Sequence, residues 1–302
     1  MEDQSLVLGE TFLKDADDQY LELGKRILRE GSVRSDRTGV GTIGIFGGQL
    51  IFNLQDGFPL LTTKKVFFWP MVKELLWFLE GSTDNKRLNE MGCKIWDQWA
   101  TESGDLGPIY GHQWVKWQET KIISVEEWDL KRDDYKENGY EYEGIYTNTY
   151  IPGSKVIMIK KHNQIAELIH NLKHKPFSRR HVISAWNVAD LPDETLSPQD
   201  NVIQGKMALA PCHCLFQFHV RSLTVEEFFK QLKFDDRMND VRQFNLSYVK
   251  DNKISPEDKN LNDSFIKTED YKNKLFKWAD SENIPTKRLS CQLYQRKSMC
   301  AF

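Results

Sequence analysis

The chain has 302 residues, 40% of them hydrophobic and 12% aromatic, and a formal net charge of -3. That balance allows a sizeable core and supplies no basic field of the kind a DNA partner needs. No run nears the roughly 18 apolar residues of a membrane span, and the acidic start at Met1-Glu2-Asp3-Gln4 has no signal-peptide pattern, so no membrane association and a cytoplasmic location are expected.

Residues 17–30 are predicted to be a helix, with Tyr20, Leu21, Leu23, Ile27 and Leu28 on one stripe and Gly31 closing it. A turn-rich loop follows, carrying Arg34 and Arg37. Thr42–Phe46 and Gln49–Asn53 flank Gly47-Gly48 and predict a hairpin. Pro70 opens the clearest helix, with Met71, Val72, Leu75, Leu76, Phe78 and Leu79 at helical spacing, and Gly81 ends it. Glu74 is an acid among these core-type residues. A short helix is expected from Ser82-Thr83-Asp84, and residues 95–117, rich in Trp, Tyr and Gly, suit the lining of a site.

Residues 118–160 turn acidic and are expected to be a surface insertion. Helical periodicity resumes over His162–Leu172, and His181–Trp186 and Cys214–Val220 alternate as strands. Residues 221–287 form a second charged stretch, in which Thr224-Val225-Glu226-Glu227 has capping-box spacing and predicts a helical insertion. Ser290–Gln295 returns to strand alternation.

Several residue types carry chemistry. The five cysteines, Cys93, Cys212, Cys214, Cys291 and Cys300, are an odd set in a core-rich chain, which argues against a disulfide framework. Cys212-His213-Cys214 is half a zinc site at most, since a closed site needs about four ligands, so no metal is expected. Cys212 follows Pro211 just ahead of a strand, where a thiol beside arginines can ionise and act as a nucleophile; a buried structural cysteine has the same pattern. Arg37, Arg179, Arg180 and Arg296 stand at element ends and suit a phosphate dianion, or are ordinary surface arginines. Glu74 is either a general acid/base whose pKa burial raises or an exposed helix acid. Trp96, Trp99 and Tyr110 can stack on a flat ligand or simply fill a core.

A set of strings in fixed order resembles the thymidylate synthase family. They are Asp36–Thr42, Gln55–Lys65, Glu74–Leu79, Ile95–Ala100, Gly104–Gly111, Ser178–His181, Ser184–Asn187, Met207–His213 and Leu289–Arg296. The resemblance covers most of residues 17–117, 162–220 and 288–296, and neither charged stretch. It implies an α/β (α+β) fold, a large mixed sheet with packed helices, as one domain over residues 1–302 with insertions at about 118–160 and 221–287. It also implies a homodimer, and reductive methylation of dUMP to dTMP with 5,10-methylenetetrahydrofolate as co-substrate.

By the same resemblance, Cys212 attacks C6 of the uracil, Glu74 and Tyr110 serve proton transfer, and Trp96 and Trp99 line the folate side. His213 supports the nucleophile. Arg37 and Arg296 of one subunit bind phosphate together with Arg179 and Arg180 of the other. The family pattern continues past Arg296, whereas this chain reads Lys297-Ser298-Met299-Cys300-Ala301-Phe302. The expectation is therefore a C-terminally truncated domain, inactive alone or completed by a separate C-terminal fragment. A hydroxymethylase of dUMP or dCMP and a non-catalytic nucleotide-binding remnant are the alternatives.

Overall fold

The computed structural model describes residues 15–34, 41–148, 151–232, 237–252, 266 and 268–296. α1 (Ala16–Glu30) begins at Asp15, whose carboxylate accepts from the Asp18 amide, and ends where the Gly31 amide donates to the Ile27 carbonyl at 2.8 Å. The hairpin expected over 42–53 does not form. Instead β2 (Thr42–Gly44) pairs back onto β1 (Ser32–Arg34), and residues 45–67 contain no strand. The reason is a competing partner: the Gln19 side chain donates to the Ile51 carbonyl and accepts from its amide, which satisfies the groups a second strand would have used.

The helical core lies next. α2 (Phe68–Leu79) starts two residues before Pro70 and buries Trp77 and Phe78, and α3 (Asn85–Glu90) adds Leu88. α4 (Tyr110–Lys116) crosses α2 closely because residue 111 is glycine; a Cβ there would stand 2.9 Å from the Phe78 carbonyl oxygen. α6 (Gln164–His174) packs on α4 through Leu168, and Ile183, Ala185, Val202 and Met207 complete the same apolar cluster.

Residues 118–160, expected at the surface, build a three-stranded antiparallel sheet in the order β3 (Trp117–Ser124), β5 (Ile151–His162), β4 (Glu141–Asn148). α5 (Val125–Glu137) lies against β3 and β5. The Tyr140 hydroxyl donates to Glu119, which also meets the His162 ring at 2.9 Å.

A third antiparallel sheet runs β6 (Val182–Ser184), β7 (His213–Ser222), β8 (Lys287–Gln295). Cys214, Phe216, Phe218 and Val220 face one side of β7, as the alternation predicts. Cross-strand partners share a face, so Leu289 and Leu293 of β8 stand on that same side, yet they are 54% and 50% exposed.

Residues 223–286 leave β7 and return to its neighbour β8, and the described ones among them form helices, as expected. They contain α8 (Val225–Leu232), α9 (Met238–Asp251) and α10 (Glu269–Ser281), with a core of their own around Phe228, Leu232, Tyr248, Tyr271 and Leu275. The lobe is closed at its neck, where the Leu223 amide donates to the Thr286 carbonyl at 2.9 Å. Glu227 ties it to the sheet. Its carboxylate accepts a bidentate pair from Arg221 at 2.7 and 2.5 Å and the Thr224 amide at 2.9 Å, and lies 3.7 Å from Arg288. The Arg221 guanidinium chiefly holds Glu227 down to about 2.

A depressed carboxyl stabilises fully above its ordinary value of 4.5 and loses that contribution as pH falls towards about 2. Glu227→Gln is therefore expected to cost about 1 kcal/mol at neutral pH, the partial exposure of the pair being discounted. Urea unfolding should show the gap from wild type closing as the pH is lowered through that window. A gap independent of pH would exclude the carboxylate as the tie.

Candidate functional site

The site forms where α2, α4 and the start of β7 converge. Helical spacing sets Glu74 four residues before Phe78, so that it faces the 95–99 turn instead of solvent. The Trp96 indole N–H donates to the Glu74 Oε1 at 2.7 Å. Burial raises the Glu74 pKa, with the Trp96 bond acting the other way. Glu74, Phe78, Ile95, Trp96, Trp99, Tyr110, Leu209 and His213 bound one cavity of about 220 Å³. Its wall is aromatic and edge-packed, with Trp96 and Trp99 centroids 5.5 Å apart and Phe78 and Tyr110 centroids 4.8 Å apart.

Tyr110 joins this cavity to the cysteine. It opens α4, and its hydroxyl accepts from the Cys212 amide at 2.6 Å. Burial pushes its pKa up to about 12, so the hydroxyl keeps its proton at neutral pH and can donate it. Burial lowers the His213 pKa, and its ring lies 5.8 Å from that of Tyr110, centroid to centroid. Cys212 is half-buried at the mouth of β7. The neighbouring Cys214 is buried, its thiol bonded to the Pro211 carbonyl at 3.4 Å and its pKa raised by burial.

Arg296 reaches the same place from β8. Its amide donates to the Cys212 carbonyl at 2.8 Å, and its guanidinium lies 5.7 Å over the Trp186 ring and donates to the Pro211 carbonyl at 3.4 Å. Trp186 is thus a platform for Arg296, a role its position in a string did not disclose. Arg179 and Arg180 are exposed ahead of β6. The register Val182↔Gln217 and Ser184↔Leu215, run back two residues, sets Arg180 level with His219. At about 3.3 Å per residue, that is some 20 Å or more along β7 from Cys212 of the same chain. Arg37 lies outside the described residues.

The structure thus gathers Glu74, Trp96, Trp99 and Tyr110 around one cavity, links Cys212 to it, sets Arg296 beside Cys212 and leaves Arg179 and Arg180 apart. Among the described residues, no three His, Cys, Asp or Glu side chains gather as metal ligands, and no helix is long and apolar enough to cross a membrane. Phe78, Ile95 and Leu209 joined the lining without a chemical signal; only their apolar type hinted at it.

The raised Glu74 pKa has a measurable sign. A carboxyl that holds its proton more tightly folded than unfolded makes stability fall as pH rises through its ordinary value of 4.5. Glu74→Gln should therefore gain stability relative to wild type as pH rises above about 4.5, while lowering turnover by about 10²- to 10³-fold where the acid moves a proton. Denaturation midpoints across that range test the first part. A variant gap independent of pH would mean Glu74 is not buried as described.

A profile of the family described as thymidylate synthase matches residues 18–243. The chain is 45% identical over 202 residues to the thymidylate synthase of Pseudomonas fluorescens (strain SBW25), an alignment covering 67% of this chain and 60% of that protein. It is equally similar, 45% over 202 residues, to the thymidylate synthase of Francisella philomiragia subsp. philomiragia, with 67% and 59% covered. The chain therefore spans about 60% of the length of these relatives.

Proposed function

Because the chain belongs to the thymidylate synthase family, we propose that it acts in the reductive methylation of dUMP to dTMP, with 5,10-methylenetetrahydrofolate as co-substrate, in the cytoplasm. The observation that carries this reading is the linked pair of features at one spot: a tryptophan-walled cavity with a protonatable Glu74, and Cys212 bonded through its amide to Tyr110. In this reading the Cys212 sulfur adds to C6 of the uracil, and the electron pair released onto C5 takes up the methylene carbon. The C5 proton then leaves with help from Tyr110 and Glu74, the bond from the methylene carbon to folate N5 breaks to leave an exocyclic methylene, and hydride from the tetrahydrofolate reduces it to methyl as the thiolate departs and dihydrofolate is released. Arg296, beside Cys212, meets the phosphate with Arg37.

Arg179 and Arg180 are proposed to serve the site of a second copy, in a homodimer. The support is their separation from Cys212 along β7. Mixing two inactive parents, Cys212→Ala and Arg180→Ala, should then recover about a quarter of wild-type activity, because half the dimers are mixed and each holds one intact site. Recovery of nothing would mean that each chain builds its own phosphate site.

A complementing chain that completes the domain is also part of the proposal. Its support is the uncovered apolar side of β8 at Leu289 and Leu293, of the kind that marks a docking face when larger than a few hundred Å². The test is tritium release from dUMP labelled at C5, run on this chain alone and with the remaining part of a relative supplied as a second polypeptide. Release only with the second polypeptide supports the whole reading, release by this chain alone keeps the reaction but removes the complementing chain, and release in neither arm sinks the reading. Product mass separates methyl transfer from hydroxymethylation, the alternative that uses the same cysteine and arginines.

A further inference from the structure

Residues 188–206 run between two of the matching strings, and the proposed reaction gives them no task. They fold tightly onto the core. α7 (Pro198–Ile203) opens with Ser197, whose hydroxyl accepts from the Asp200 amide at 3.0 Å, and has Pro198 in its first turn. Asn201, 2% exposed, donates to the Asp193 and Ser197 carbonyls and accepts from the Asp193 amide at 2.7 Å. Val202 enters the main apolar cluster. The return path passes Gly107, where φ is +67° and a Cβ would stand 2.1 Å from the Lys206 carbonyl oxygen, so only glycine lets the two segments meet.

From this fixed base the Gln199 carboxamide reaches out. Its nitrogen donates to the Gln98 carbonyl at 3.0 Å and to the Ala100 carbonyl at 3.2 Å. These carbonyls bracket Trp99, so one side chain grips the backbone on both sides of a residue that walls the cavity. The third constraint is the Trp99 amide, which donates to the Trp96 carbonyl at 3.1 Å. The angle of the Trp99 ring against Trp96 is thus set from across the molecule.

We infer that Gln199 is a positioning residue: it fixes Trp99 as a stacking wall and so sets affinity for a flat, fused-ring ligand in this cavity. The inference rests on the folate reading of the cavity given above. A stacking contact depends on offset and tilt, so a loosened wall weakens binding of the flat ligand without touching the nucleotide or the chemistry.

Steady-state kinetics on the full chain, in whichever arm of the tritium assay is active, provide one test. Gln199→Ala is expected to raise KM for methylenetetrahydrofolate about 5- to 20-fold, the loss of two hydrogen bonds, and to leave kcat and KM for dUMP within about twofold. Gln199→Lys keeps a donor and should restore most of the affinity. Folic acid titrated in the presence of dUMP, followed by tryptophan fluorescence, reads the same change at equilibrium. Near-ultraviolet circular dichroism of the ligand-free protein reads the Trp96–Trp99 pair directly. An altered kcat with unchanged folate affinity would overturn the inference, as would a Gln199→Ala spectrum identical to wild type. A wild-type chain that binds no folate would sink the reading of the cavity instead, while the spectrum would still decide the clamp.

Discussion

Replacing Cys212 by alanine is expected to lower tritium release from C5-labelled dUMP by at least about 10⁴-fold, the scale of losing a covalent nucleophile. The fold should barely register the change. Tyr110 is bonded to the Cys212 backbone amide and Arg296 to its carbonyl, and an alanine retains both groups. Urea unfolding should therefore shift by no more than about 1 kcal/mol, since the half-buried thiol is small. Cys212→Ser keeps the shape but offers a poorly ionised hydroxyl, and should be nearly as inactive. Mass spectrometry of the chain incubated with dUMP and the folate should find a nucleotide adduct on wild type and none on either variant. Residual activity above about one per cent would remove Cys212 from the chemistry.

Phe78→Ala is the second large effect, and it falls on stability first. Phe78 is 3% exposed and has ring contacts with Trp77, Trp96, Tyr110 and Trp114 at centroid distances of 5.3, 6.3, 4.8 and 5.5 Å. Removing it opens a cavity among four large rings that cannot all collapse inward, which costs about 3–5 kcal/mol. The same change frees Tyr110 to tilt away from Cys212, so activity should fall even at temperatures where the variant is folded. The control is Phe46→Ala. Phe46 is 96% exposed, and its loss should stay within about 0.5 kcal/mol. Equal denaturation midpoints for the two variants would contradict the described core.

The helices around this core were largely legible in the sequence because their signals are local. α1 follows its stripe from Tyr20 to Leu28 within a residue of the expected bounds, and the Thr224–Glu227 capping box sits at the start of α8 as expected. Failures came where a distant side chain decided the outcome. The 42–53 hairpin lost to Gln19, a partner 32 residues away. Glu74 could be read as buried or exposed until Trp96 met it from the next turn of chain. The Gln199 clamp spans 101 residues to Gln98, and a lone glutamine on a polar stretch carries no pattern to find it by. The strings included Trp186 without disclosing its place beneath Arg296, and they did not reach residues 188–206.

The lobe of residues 223–286 interrupts two strands that are hydrogen-bonded neighbours, and this affects the order in which the molecule assembles. Cys212 and Arg296 meet only when β7 and β8 zip together. With an unfolded excursion of that length between them, closing the pair costs about 2–3 kcal/mol more than closing a four-residue turn, since each doubling adds about 0.6 kcal/mol. Once α8 and α10 pack and the Leu223–Thr286 bond shuts the neck, the strands meet as though joined by a short turn. The lobe can therefore act as a timing element. Variants that slow its folding should delay recovery of the site on refolding by a comparable factor, even though no described residue of the lobe lines the cavity.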